Sequence, residues 1–243
     1  MFQEQINRYK EKHGFGSFEP KAVLFDMDGV LYDSMPNHAV SWHRSMQKFG
    51  IDMKPEEAYT YEGMRGVETI KLLARRQWGR ELTDVEAADM YEAKTHEFSA
   101  CPPAGKMTGV EELMRKMHDA GLQIVVVTGS GQKSLLGKLE HEFPGLIHAD
   151  KIVTGFDVTH GKPDPEPYNC GMGKAGIEPW QGIVVENAPL GVRAAVAANL
   201  FTVAVNTGPL PDEDLSSEGA DLIFKSMPDF RDAWNEFRHD FML

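Results

Sequence analysis

Two aspartates separated by a single residue, Asp26 and Asp28, directly follow a short apolar run, Lys21 to Phe25. A carboxylate in that position can act as a nucleophile on phosphorus. A second acid two residues on can protonate the leaving oxygen and later take a proton from the attacking water or alcohol. Further along, Thr128 and Ser130 close another apolar run, Leu122 to Thr128, and Lys162 stands in the loop His160-Gly161-Lys162 after Ile152 to Thr154. Glu186 and Asn187 close a fourth run that begins at Ile183. A lysine neutralises a transferring phosphoryl group, and hydroxyl and backbone donors hold its equatorial oxygens. A hard cation such as Mg²⁺ takes oxygen ligands and lets a carboxylate and a phosphate share one place.

Taken singly, these features say little. Asp-x-Asp-Gly is as compatible with a plain turn. It is not an EF-hand loop, because its glycine falls at the fourth position and the terminal Glu is missing. Thr128 alone would be a strand-end cap, Lys162 a solvated loop lysine, and Glu186 an acid complementing a helix N-terminus. Their joint appearance at successive strand ends is what points to phosphoryl transfer.

The elements that must position these residues can be read from the pattern. Short, wholly apolar strands at Lys21–Phe25, Leu122–Thr128, Ile152–Thr154, Ile183–Glu186, Phe201–Val205 and Leu222–Phe224 alternate with helical stretches, including 131–143, 165–175 and 189–198. That alternation predicts crossover units and a parallel sheet covered on both faces. Between Leu31 and Ala100 the pattern is helical throughout: Ala39, Trp42, Met46 and Phe49 recur at helical spacing, and Thr83-x-x-Glu86 has the form of a capping box. Thr108-x-x-Glu111 suggests another helix start. The expectation is an α/β, Rossmann-like open parallel sheet flanked by helices, with an all-α helical cap inserted after the first strand. The core would comprise 20–33 and 104–243, the cap 34–103, and residues 1–19 a helical extension or tag remnant with no part in the chemistry. In such sheets ligands bind at the carboxyl ends of the strands, where the polar residues fall.

Composition bounds the function. The 243 residues carry a formal net charge of −12, which argues against non-specific binding to nucleic acid. No apolar run is long enough for a membrane span or a signal peptide. The two cysteines, Cys101 and Cys170, have neither zinc-site nor disulfide spacing. A monomeric, cytoplasmic protein acting on a small phosphorylated metabolite is expected.

The order of four segments, Phe25-Asp26-Met27-Asp28-Gly29-Val30-Leu31, Val127-Thr128-Gly129-Ser130, Gly161-Lys162-Pro163-Asp164-Pro165 and Val185-Glu186-Asn187-Ala188-Pro189-Leu190-Gly191, resembles the haloacid dehalogenase superfamily of phosphatases, in its β-phosphoglucomutase-like branch with a small helical cap. The resemblance implies that Asp26 is the nucleophile, Asp28 the general acid/base, and Thr128 and Lys162 the binders of the transferring phosphate, with Gly129 and Ser130 beside them. It implies Mg²⁺ held by Asp26, the Asp28 backbone carbonyl, Glu186 and Asn187, where many relatives have Glu-Asp. It also implies a mobile cap carrying substrate contacts. His38 and Trp42 match positions at the start of the mutase cap, and Lys94 matches a cap lysine. The cap arginine that grips the distal phosphate in the mutase aligns with Gly66, with Arg65 one residue away, about 100° around a helix. Glu62 lies on the same loop, where it would face solvent, repel a sugar phosphate, or help hold Mg²⁺ on a compact substrate such as pyrophosphate. Three readings follow: a phosphohydrolase of a sugar phosphate or pyrophosphate, a β-phosphoglucomutase-type mutase, and a non-catalytic phosphate-binding protein.

Overall fold

The computed structural model describes residues 1–130 and 134–242. Six strands pair in parallel: β1 (Ala22–Phe25), β2 (Gln123–Val127), β3 (Ile152–Val153), β4 (Gly182–Glu186), β5 (Phe201–Val205) and β6 (Leu222–Phe224). Their order across the sheet is β3-β2-β1-β4-β5-β6. The chain therefore moves outward from β1 to β2 and β3, then returns to the other side of β1 for β4. This reversal opens a crevice at the carboxyl end of β1, the place where open α/β sheets bind ligands. Register finishes the placement. Phe25 lies opposite Val126 and Val185, so the next residue, Asp26, falls beside Val127 and Glu186.

Both faces of the sheet are buried, which explains the unbroken apolar strands. Val23 and Phe25 point into one cluster, with α6 (Val110–Asp119) and α11 (Met227–Phe241). Ala22 and Leu24 point into the other, against α8 (Glu166–Ala175) and α9 (Pro189–Ala197). Helix α7 (Ser134–Glu142) contributes Leu139, and α10 (Asp212–Ser216) covers the β5–β6 edge. The first part of the predicted helix 131–143, residues 131–133, lies outside the described residues.

Residues 1–19, expected as a helical extension or a tag remnant, carry helix α1 (Gln3–His13), whose inner face packs on the sheet. Ile6 and Tyr9 are fully enclosed, and Phe18 packs with them on Phe201 of β5. The Tyr9 hydroxyl reaches the carbonyls of Asn199 at 2.8 Å and Pro179 at 3.1 Å. The segment is part of the core, although it is remote from the site. The helix start expected at Thr108 is also set differently. Gly109, at φ 85°, is the cap of α6, while Glu111 pairs with Lys106 and Arg115.

Between β1 and α6 lie α2 (Met35–Lys48), α3 (Glu57–Thr60), α4 (Gly66–Trp78) and α5 (Asp84–Ser99). They close on an apolar cluster of their own, built on Trp42, Met46, Ile70, Leu73 and Met90. Thr83 and Glu86 form the predicted reciprocal cap of α5. This helical body rests on the carboxyl edge of the sheet. A Cβ on Gly129 would stand 2.9 Å from the Gly63 carbonyl oxygen, so the turn Glu62–Met64 touches the loop after β2 directly.

Candidate active site

The turn after β1 is tight. The backbone amides of Leu31 and Tyr32 both donate to the Met27 carbonyl, and Gly29 donates to Tyr32. Gly29 has φ 84°, and a Cβ there would lie 2.1 Å from the side-chain nitrogen of Asn187. Only glycine allows both the left-handed turn and that approach. The turn leaves Asp26 facing the sheet interior and Asp28 facing the helical cap.

Asp26 meets Lys162. The Lys162 ammonium donates to Asp26 Oδ1 at 2.5 Å, to Glu186 Oε1 at 2.7 Å and to the Val127 carbonyl at 3.1 Å. Burial lowers a lysine's affinity for its proton, but the two carboxylates outweigh it and hold the Lys162 pKa above the ordinary value. Burial pushes Asp26 up to about 8; Lys162 opposes that shift and Glu186 adds to it. The other Asp26 oxygen, Oδ2, is buried without a partner among the described residues, and so is Asn187 Oδ1. Buried polar atoms are normally paired. Two such oxygens, one from a carboxylate and one from an amide, are the kind of donors a hard cation takes. The residues present therefore fit Mg²⁺ at Asp26 and Asn187.

Glu186 has a different setting from the one expected. Its Oε1 accepts from Lys162 and from the Tyr168 hydroxyl at 2.8 Å, and its Oε2 accepts from the backbone amides of Asn187 at 2.9 Å and Ala188 at 3.2 Å. Both oxygens are committed to protein donors at the start of α9. In this structure Glu186 orients Lys162 and caps a helix, and the metal-ligand role expected of it has no oxygen free. Tyr168 went unnoticed in the sequence. Its position on the buried face of α8 looks like ordinary core, and only the fold brings it behind Lys162.

Asp28 meets the cap. Ser34 donates to Asp28 Oδ1 at 2.5 Å, and His38 Nε2 stands 3.2 Å from the same oxygen. Lys94 of α5 reaches the other ring nitrogen, His38 Nδ1, at 3.0 Å. Because an ammonium can only donate, Nδ1 accepts and Nε2 carries the proton toward Asp28. Burial works to raise Asp28, but His38, Ser34 and Lys94 overcome it and hold the carboxyl down at about 2. Burial brings Lys94 down to about 8, against the pull of Asp28 and Glu62. Ser34 could have been suspected as a helix cap before Pro36, but its hydroxyl is spent on Asp28 instead.

Thr128 is buried at the end of β2, and its hydroxyl oxygen accepts the Ser130 amide at 3.0 Å. Gly129 and Ser130 line a cavity of about 440 Å³ between sheet edge and cap, together with Asp28, His38, Glu62 and Lys94. Glu62 thus faces the site, where the sequence left solvent open as an alternative. Burial, then the nearby Asp28 and Asp26, push its pKa well up.

Arg65 does not join them. Its guanidinium donates to the Thr159 carbonyl at 2.5 Å, on the far side of the turn, and Arg65 is not among the residues that line the cavity. The position aligned with the mutase arginine is closed as well: a Cβ on Gly66 would fall 2.0 Å from the Tyr91 ring. His160 points outward to Glu166.

A parallel sheet with two enclosed aspartates at the switch point and a helical insert above them is the architecture of capped α/β phosphotransferases. Residues 23–205 match the model of the haloacid dehalogenase-like hydrolase family, and the chain belongs to that family. Over all of its length it is similar to a Bacteroides vulgatus protein described as a candidate beta-phosphoglucomutase, with 51% identity, a TM-score of 0.96 and 98% of that chain covered. Hexitol phosphatase A of Escherichia coli strain K12 is 28% identical over 207 residues, 85% of this chain and 91% of that protein. Beta-phosphoglucomutase of Bacillus subtilis strain 168 is 22% identical over 228 residues, 90% and 97% respectively. The chain is an enzyme of the phosphatase and phosphomutase kind. No helix among the described residues is long and apolar enough to cross a membrane.

Proposed function

We propose that the protein is a phosphohydrolase of a small phosphorylated metabolite, a sugar phosphate or pyrophosphate, working through an aspartyl-phosphate on Asp26. The observation that carries the choice of hydrolase over mutase is the cap face. A mutase must grip a second phosphate there, yet Arg65 is turned to Thr159, Tyr91 fills the space at Gly66, and Glu62 presents a carboxylate. Of the lysines at the cavity, Lys94 is bonded to His38, and Lys138 comes from the sheet side and lies over the Tyr32 ring.

Asp26 and Asn187, with the Asp28 backbone carbonyl, would hold Mg²⁺, which when bound supplies positive charge that keeps Asp26 ionised and screens it from the phosphate. The Asp26 carboxylate attacks phosphorus and the bond to the leaving oxygen breaks. Lys162 neutralises the transferring group, while Thr128 and the amides after β2 hold its oxygens. Asp28 delivers a proton to the leaving oxygen and then removes one from the water that cleaves the acyl phosphate. Ser34 and His38 hold Asp28 ionised in this structure, the state suited to the second step. The closed cap excludes other water.

Quenching the enzyme during turnover and mapping the phosphoryl group tests the scheme. The label belongs on Asp26, and Asp26→Asn lowers phosphate release by a factor of about 10³ or more while the protein stays folded. Substantial turnover in that variant would sink the scheme.

A further inference from the structure

Arg65 lies outside the cavity, yet it is not an idle surface residue. It precedes α4 in an extended conformation, φ −61° and ψ 133°, which directs its side chain off the cap toward the sheet-side loop before Lys162. There Nη1 donates to the Thr159 carbonyl. Its stem lies on Gly161, where a Cβ would come 2.6 Å from Arg65 Cγ and 3.0 Å from the Arg65 amide nitrogen. The opposite side of the same loop is fixed to α8. Glu166 accepts the amides of Thr159 at 2.7 Å and His160 at 2.8 Å. The loop is thus a rigid catch. Two residues before Arg65, Gly63 has φ 82°, and a Cβ there would lie 2.7 Å from Lys162 Cδ. The same short turn therefore lies against the lysine that holds Asp26, carries Glu62 into the cavity and ends in the bond to Thr159.

We propose that Arg65 is a positioning residue, a latch that closes the cap onto the Thr159–Gly161 loop without help from substrate and thereby sets Gly63 against Lys162 and Glu62 over the site. The geometry requires no phosphate in the cap: every partner of the latch belongs to the chain itself. Arg65 is half exposed, with 37% of its side-chain surface open, so solvent weakens the bond without removing it. A hydrogen bond from a charged donor at such a site shifts the closing equilibrium roughly five- to tenfold. Gly161 is part of the same device, because an added methyl would wedge the stem of Arg65 outward.

The test begins with ligand-free protein, so its result stands apart from the hydrolase reading. Small-angle X-ray scattering of the wild type should fit the closed form, and Arg65→Ala should have a larger radius of gyration at an unchanged melting temperature. Arg65→Lys, which keeps a donor, should fall between them. Gly161→Ala should resemble Arg65→Ala, and the double variant should be no more open than either single one, as expected for residues of one device. In turnover, Arg65→Ala should raise KM roughly five- to tenfold with kcat within about twofold, since only closure has become harder. A wild type already open without ligand would overturn the proposal, as would an Arg65→Ala protein as compact as wild type or one that loses kcat at constant KM.

Discussion

At the scale of single residues the site divides into two charge systems that meet between Asp26 and Asp28. One is Lys162 between Asp26 and Glu186, with Tyr168 behind; the other is Lys94, His38 and Ser34 around Asp28. In the first, one ammonium compensates two enclosed carboxylates. Lys162→Met removes that compensation, and breaking a buried pair in this way costs about 3–5 kcal/mol. Chemical denaturation should show a loss of that order, and phosphate release should fall with it; stability equal to wild type would mean the carboxylates do not depend on Lys162. The places of Asp26 and Asp28 were legible in the sequence because a residue just past an apolar strand of a parallel sheet has few places to go, whereas Lys162 stands nine residues beyond Val153, in the loop that follows β3. Arg65, Glu62 and Glu186 were less so. Arg65 and Glu62 sit on an irregular turn whose direction is set by what it packs on. The role of Glu186 depends on Tyr168 and Lys162, which approach from other segments.

At the scale of elements, the strands and most helices follow from apolar runs and caps, and the sheet order follows from the crossovers. The helical extension expected at the start of the chain is α1, whose polar composition conceals two inward residues, Ile6 and Tyr9. Phe18 and Phe201 meet the Tyr9 ring, and Phe237 stacks on Phe201 behind them; no local pattern announces such an assembly. The Tyr9 hydroxyl gives the helix its polar anchor, so Tyr9→Phe leaves the Asn199 carbonyl without its donor. Urea denaturation should register a loss of about 1–2 kcal/mol with activity per folded molecule unchanged. A variant as stable as wild type would place the anchoring in packing alone. The cap shows the same division: its helices and the Thr83 box could be read, but the aim of the Glu62–Arg65 turn could not.

At the scale of the whole molecule, a half-buried acid away from the site is expected to give stability a pH dependence of its own. Asp221, before β6, accepts the Thr202 amide at 2.8 Å. Burial raises its pKa from 3.8 to about 6, against that hydrogen bond and the nearby Lys12 and Arg8. The folded state therefore holds the proton more tightly than the unfolded chain. Its contribution is complete below about pH 4 and is lost as pH rises through about 6. Asp221→Asn, which keeps an acceptor for Thr202, should be more stable than wild type at pH 7 by on the order of 1–3 kcal/mol, with the gap closing at pH 4. An equal gap at both values would show that Asp221 is already ionised in the fold.

A hydrolase releases the phosphoryl group as free phosphate, and a mutase returns it to the sugar. A Mg²⁺-dependent assay with parallel product analysis distinguishes the two most directly, using β-glucose 1-phosphate with and without glucose 1,6-bisphosphate, other hexose phosphates and pyrophosphate. Free phosphate is expected in every productive case, with no requirement for the bisphosphate, and the fastest release from a compact substrate that leaves Glu62 and Tyr91 undisturbed. Accumulation of glucose 6-phosphate from β-glucose 1-phosphate without phosphate release would contradict the proposed hydrolysis, and would require the cap to grip a second phosphate with a cation other than Arg65.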